Sequence, residues 1–336
     1  MQETPDMLSV IASTNVTLNN VQHISPIISF YVLKIIGYVN GFVLTTLVGV
    51  LGVFTNTVNI CVYLKMGLSE TTNISFFSLS ISDLLVSLSA VLVQLTYNPP
   101  VSVIKLPSGA SVSEIGMAAS FIMFPCMGCS AWITTILSVE RCLCISTPLK
   151  IKEIFNEKRT MCLILTMAIY QSVHIILLLS NPGPPYDVSN ARRLHYMTSS
   201  FSAPTFICFF VVLISTTFLV VRLKQNLKWR NKVTKQSNKN SGSLKETKAA
   251  QCVAAICTIF IICFTPNVAL IFIGTVYPEL TPHNLHFGTL IVALYAISTM
   301  FQVLSSFVNI FVYYTMSTKY RDNFKAMFYG KRDLEP

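Results

Sequence analysis

Leu79-Ser80-Ile81-Ser82-Asp83-Leu84-Leu85 sets one carboxylate inside Ile74–Tyr97, a run otherwise apolar or weakly polar. About 20 mainly apolar residues in helical form cross the hydrocarbon core of a bilayer. A lone charge at mid-membrane costs at least ~2.5 kcal/mol, so Asp83 must face other helices rather than lipid. Two states meet that cost: an ionised carboxylate in a hydrated cation site, or a protonated structural aspartic acid. Both require a bundle of spanning helices around it.

Six further stretches of spanning length lie to either side: Ile35–Leu64, Ser113–Ile145, Met161–Ser180, Met197–Val221, Ala249–Tyr277 and Phe287–Tyr314. The whole chain of 336 residues agrees, with 52% hydrophobic and only 11% charged residues and a mean hydropathy of +0.60. Soluble domains carry about 25% charged residues, so lipid is the solvent for much of this surface. The expected fold is an all-α membrane protein, a seven-transmembrane helix bundle over 35–315. A tail over 1–34 precedes it, and a short amphipathic inner-face helix with a cytoplasmic tail, 316–336, follows. Two connectors are longer than the rest. Asn181–His195 is rich in Pro and Gly, and Arg222–Lys248 is polar and basic and reads as a mobile loop.

The net charge of +10 is distributed by topology. With the amino end outside, the outer side holds Lys34, Lys105, Arg192 and Arg193, and the inner side the remaining 20 of 24 Lys and Arg. That bias orients the chain and favours anionic membrane lipid at the inner face; nothing calls for nucleic acid. Asn15-Val16-Thr17 is a glycosylation sequon on the expected outer tail, whereas Asn73-Ile74-Ser75 falls inside and is expected bare. Met1–Pro26 has no basic start, so the first apolar helix is expected to act as its own insertion signal. The ten cysteines lie in or beside apolar segments, without metal-like pairing, and read as small packing residues.

Other polar or helix-breaking residues fall at definite depths. Pro204 and Pro266 are expected to interrupt the fifth and sixth helices and kink them. Glu140-Arg141 ends the third helix at the inner face, and Glu246 opens the sixth at the same depth. An arginine shared with an acid on a neighbouring helix makes a releasable latch; a solvated pair at a helix end is the plainer reading.

Taken in order, Gly52 and Asn56, Leu79 to Asp83, Ser138-Val139-Glu140-Arg141-Cys142 with Pro148, Phe201-Ser202-Ala203-Pro204, Phe260 to Pro266, Asn309-Ile310-Phe311-Val312-Tyr313 and Tyr320-Arg321-Asp322-Asn323-Phe324 resemble the rhodopsin-like (class A) G-protein-coupled receptors over essentially the whole chain. The closing segment, Val308 to Arg321, is more narrowly similar to invertebrate neuropeptide and molluscan chemosensory receptors. The resemblance implies a plasma-membrane receptor with an extracellular amino end. It implies an extracellular peptide or small-molecule ligand and a heterotrimeric G protein as partners, and no enzymatic activity. Position by position, Arg141 of Glu140-Arg141-Cys142 would hold the inactive state, with Glu246 as its partner, and then meet the G protein. Asp83, Ser130 and Asn309 would surround a sodium ion. Phe260 and Phe264, with Pro204 and Pro266, would form the packing switch, and Tyr313 would swing inward on activation.

Several positions depart from the family pattern. Gly116 stands where the cysteine of the outer disulfide is expected, and Asn181–His195 has no cysteine, so the ligand entrance must be braced differently. Phe264 replaces a tryptophan, Ile310 replaces the proline of the seventh helix, Val212 replaces a tyrosine of the fifth, and the fourth helix lacks its tryptophan. Met123 stands where amine receptors carry an aspartate, which argues against a biogenic amine. No lysine lies in Phe287–Tyr314, which excludes a retinal Schiff base. Candidate ligand-lining residues are Gln94, Tyr97, Met123, Met127, Tyr196, Asn267, Tyr295, Thr299 and Gln302, a neutral, aromatic, amide-rich set that suits a peptide or an uncharged odorant. Each taken singly also reads as ordinary helix packing.

Rival readings are weaker. A transporter would show internal repeats and broken helices in matching halves, and none is found. A membrane enzyme would need a constellation at membrane depth; of His23, His174, His195, His283 and His286, only His174 lies in a span, and it reads as a packed residue. A non-signalling decoy of the same fold stays open.

Overall fold

The computed structural model describes residues 25–96, 101, 112–147, 151–179, 202–233, 241–277, 279–280 and 284–328; for some helical positions, Glu246 and His174 among them, only the backbone is described. Eight helices carry the architecture: α1 (Phe30–Met66), α2 (Thr71–Thr96), α3 (Val112–Ser146), α4 (Glu157–Leu179), α5 (Ala203–Val233), α6 (Ser241–Val276), α7 (Gly288–Met316) and α8 (Thr318–Phe328). A single turn, Ile151–Ile154, precedes α4. No strand occurs among the described residues. All of α1, α2, α3, α5, α6 and α7 combine spanning length with an apolar window. The 23 residues of α4 rise about 34 Å, enough for the seventh span. The chain is a multi-pass, all-helical membrane protein.

Its outward faces are apolar. Phe54, Ile169, Ile214, Ile262 and Phe311 all stand exposed, as helices bathed in lipid require. Inside, Leu79, Leu137, Val212, Val253, Phe260 and Tyr313 form one buried core in which α2, α3, α5, α6 and α7 meet. Helix α3 is central, packing on α2, α4, α5 and α6.

Helix α1 begins where the Ser29 hydroxyl accepts from the Val32 amide at 3.3 Å, an N-cap. It stops at Gly67, the only positive-φ residue described (φ 84°), whose amide returns to the Tyr63 and Leu64 carbonyls. The Gly67 carbonyl then accepts from Asn73 Nδ2 at 3.0 Å, which sets the start of α2. Within α1, Gly37–Thr45 is π-helical. The wider turn frees the Asn40 carbonyl, which the Thr45 hydroxyl takes at 2.7 Å, while Asn40 Nδ2 donates to the Ala296 carbonyl of α7 at 2.9 Å. Sequence patterning gives no sign of this π segment.

Small residues bring α1 and α2 together, as interhelical packing in lipid favours. A Cβ on Gly49 would meet Val91 Cγ2 at 2.7 Å and the Ser87 carbonyl at 3.2 Å, and one on Gly52 would overlap the Ser87 hydroxyl. Gly49→Leu is therefore expected to lower the thermal unfolding midpoint of the purified protein, an overpacking cost of about 1–3 kcal/mol. An unchanged midpoint would show that the interface yields freely.

One expectation is revised. The segment 222–248 is not one loop: α5 continues to Val233 and α6 already begins at Ser241, because Leu, Lys, Arg and Glu sustain a helix after the apolar run has left the membrane. Pro266 lies inside α6, and Pro204 is the second residue of α5. Pro125, not singled out from the sequence, lies inside α3.

None of the ten cysteines is in a disulfide. The segment before α1 is tied to the loop before α7. The Ile27 amide donates to the His286 carbonyl at 3.0 Å, and His286 Nδ1 donates to the Ser25 carbonyl at 2.7 Å. Asn284 Oδ1 accepts from the amides of His286 and Phe287 and fixes that loop.

Candidate functional site

Asp83 is the centre of a buried polar cluster shared by α2, α3 and α7. Its Oδ1 accepts from the Ser130 hydroxyl at 2.8 Å and from the Ser306 hydroxyl at 3.1 Å, and its Oδ2 accepts from Asn309 Nδ2 at 2.8 Å. Hydrogen bonds to a charged group are worth about 1.5–3 kcal/mol each, enough to offset the cost of a carboxylate at this depth. The structure thus brings together the three residues expected here and adds Ser306. Asn309 Oδ1 is buried without a partner. A carboxylate, two hydroxyls and an unused amide oxygen form an oxygen-only donor set of the kind a hard cation takes. The cavity beside Asp83 admits an occupant of about one water molecule's size.

Phe260 and Phe264 of α6 roof this cavity, with rings stacked at 4.1 Å and 26°. Met127 and Gln302 also line it. Met123 and Met127 pack with Val86, Ala90 and Val303 of α2 and α7. Asn267 and Gln302 are buried, and each leaves its amide nitrogen unpartnered. The other ligand candidates diverge. The Gln94 side chain lies where α1 approaches at Gly41. Tyr295 is exposed, and the Thr299 hydroxyl is bonded to the Tyr295 carbonyl of its own helix at 2.9 Å. Tyr97, Tyr196 and the sequon residue Asn15 lie outside the described residues.

Near the carboxyl end of α3, Arg141 Nη2 pairs with Glu140 Oε1 at 3.1 Å and donates to the Thr72 hydroxyl. Glu140 Oε1 also accepts from the Thr71 hydroxyl at 2.6 Å. The start of α2 therefore holds both members of the pair, whose side chains are only 3% and 11% exposed. Those threonines precede the apolar run of α2 and carry no periodic signal of their own. Cys142 Sγ donates to the Ser215 carbonyl of α5 at 3.0 Å. Glu246 lies in the first turns of α6, with its side chain outside the described positions.

Tyr313 is fully buried between Tyr63 at 5.3 Å, Phe76 at 4.9 Å and Tyr320 at 5.5 Å, all as ring-centroid distances. Its hydroxyl has no partner. Tyr63 and Asn59 escaped the sequence reading, although Asn56, Asn59 and Tyr63 share one face of α1 at helical spacing.

None of the curated proteins compared with the chain matches it. The model of the 7 transmembrane receptor (rhodopsin family) matches residues 55–313, from the first helix to the buried tyrosine that closes the seventh. With that match over well more than half its length, and with seven helices around a buried carboxylate, the chain belongs to the rhodopsin family of 7 transmembrane receptors.

Proposed function

We propose that this receptor stands in the plasma membrane with its amino end outside, binds a neuropeptide or an uncharged chemical stimulus between the outer halves of its helices, and passes the event to a heterotrimeric G protein at the inner face. The observation that carries the reading is Arg141, a nearly buried guanidinium turned onto Glu140 and Thr72 rather than to the inner solvent. An arginine so held is a stored contact, made available when the inner ends of the helices part. A ligand that favours the parted state shifts the population toward it.

The buried, neutral Met123, Asn267 and Gln302 support a ligand recognised without an ion pair. Asp83, Ser130, Ser306 and Asn309 would hold a sodium ion, whose single charge would balance the carboxylate in the closed state. Asn15 would carry a glycan on the outer tail. Glu246 would be a second, inactive-state partner for Arg141. Glu246→Ala is then expected to raise ligand-free signalling about 2–5-fold, the scale of one partly exposed ion pair of up to ~1 kcal/mol. Unchanged basal output at equal surface abundance would remove Glu246 from the latch.

Calcium recording tests the ligand class, in cells that express the receptor with a promiscuous G protein and are given tissue extract before and after protease digestion, beside a panel of odorants. A response lost on digestion assigns a peptide. A response that survives digestion, or that only odorants evoke, assigns a chemical stimulus. Silence from a receptor at the cell surface points to a decoy, or to a ligand absent from the extract and the panel.

A further inference from the structure

Nothing polar holds Tyr313 in place. Its hydroxyl is unpartnered, and the rings of Tyr63, Phe76 and Tyr320 pack against it. Two of those walls belong to long spanning helices. The third, Tyr320, is on α8, which has 11 residues and joins α7 through Ser317. So short a helix needs anchorage. The Lys319–Glu70 ion pair at 3.1 Å has both side chains at least half exposed and contributes little. The buried tie is the Tyr320 hydroxyl, which donates to Asn59 Oδ1 at 2.5 Å with both residues fully enclosed.

The tie does not end at Asn59. Asn59 Nδ2 donates to Asn56 Oδ1 at 3.3 Å, Asn56 Nδ2 donates to the Ser306 carbonyl at 2.9 Å, and the Ser306 hydroxyl donates to Asp83 Oδ1 at 3.1 Å. Each residue donates to the next, and the series ends on the carboxylate, an arrangement in which the bonds polarise one another. Burial raises the Tyr320 phenol above its ordinary value, so the hydroxyl remains a donor across the physiological range.

We infer that Tyr320 and Asn59 are positioning residues of the switch, a latch that closes α8 over Tyr313 and reports on the polar cluster at Asp83. The latch rests on the proposed inward swing of Tyr313. When the inner end of α7 rearranges, the Tyr320 ring must leave Tyr313, and the bond to Asn59 resists that departure. A phenylalanine at 320 would keep the ring and lose the resistance.

The test is ligand-free exchange of a labelled GTP analogue on a promiscuous G protein, in membranes with equal receptor abundance, together with the thermal unfolding midpoint of the purified full chain. Tyr320→Phe and Asn59→Val are each expected to raise exchange about 2–12-fold, the range of one net hydrogen bond. The double variant should not exceed Asn59→Val by more than the error, since that single already removes the bond Tyr320→Phe removes, together with the one from Asn59 to Asn56. A lowered midpoint with wild-type exchange in Tyr320→Phe would make the bond merely structural and overturn the latch. Tyr313→Ala, introduced into Tyr320→Phe, should return exchange to background. If raised exchange survives it, the swing of Tyr313 is wrong, a failure distinct from that of the Tyr320–Asn59 bond.

Discussion

Asp83→Asn is expected to abolish every effect of sodium on the receptor. In the native cluster two hydroxyls converge on Oδ1 and the Asn309 amide on Oδ2. An asparagine at 83 keeps the shape. Its carbonyl can serve Ser130 and Ser306, and Asn309, whose own Oδ1 is otherwise idle, can turn to accept from the new amide. The fold therefore survives, and the one anionic ligand is lost. Sodium at about ten times its dissociation constant stabilises the native receptor by roughly 1.4 kcal/mol through mass action. The unfolding midpoint of the wild type should therefore rise when sodium replaces choline, and that of the variant should not move. A sodium-dependent midpoint in Asp83→Asn would place the cation elsewhere and leave Asp83 as a structural acid.

Glu140→Gln is expected to give the largest rise in ligand-free signalling, about tenfold or more. The Glu140 carboxylate is almost fully enclosed, accepts from Thr71 at 2.6 Å and pairs with Arg141 at 3.1 Å. The isosteric amide preserves volume and the threonine contact. It withdraws the charge that draws the guanidinium back, and a bond of that kind carries about 1.5–3 kcal/mol. Arg141 is then held in the described structure by the Thr72 hydroxyl. Nucleotide exchange in membranes, normalised to surface receptor, measures the effect. Exchange equal to wild type would mean that the Glu140–Arg141 pair does not restrain the closed state.

The parts of this picture that sequence makes plain are those in which lipid punishes a residue. Asp83 stands out because a charge at mid-bilayer is expensive, and the seven spans stand out because hydrocarbon thickness fixes their length. Ser130 and Asn309 enter only through the order of motifs around them. Ser306 stays hidden because a hydroxyl costs little in a helix and gives no contrast. Thr71 and Thr72 are 69 residues from the pair they hold, a distance no local pattern bridges. Asn59 was partly legible, since Asn56, Asn59 and Tyr63 share a helical face, but its partner lies 261 residues away on α8. The connector 222–248 reads as a loop because polarity marks the end of the membrane rather than the end of the helix. Of the ligand candidates, Met127 and Gln302 line the cavity beside Asp83, the Gln94 side chain lies against Gly41 of α1, and Tyr295 is exposed.

Arg141, released at the inner face, is proposed to couple this receptor to a G protein. The most direct measurement is exchange of a labelled GTP analogue on a panel of G proteins, in membranes holding equal amounts of wild type or Arg141→Ala, with and without an extract fraction that evokes calcium in cells. Exchange is expected to rise with the fraction in wild type and to fall to the level of receptor-free membranes in Arg141→Ala. Equal exchange from both proteins, or none from either at verified abundance, would contradict it.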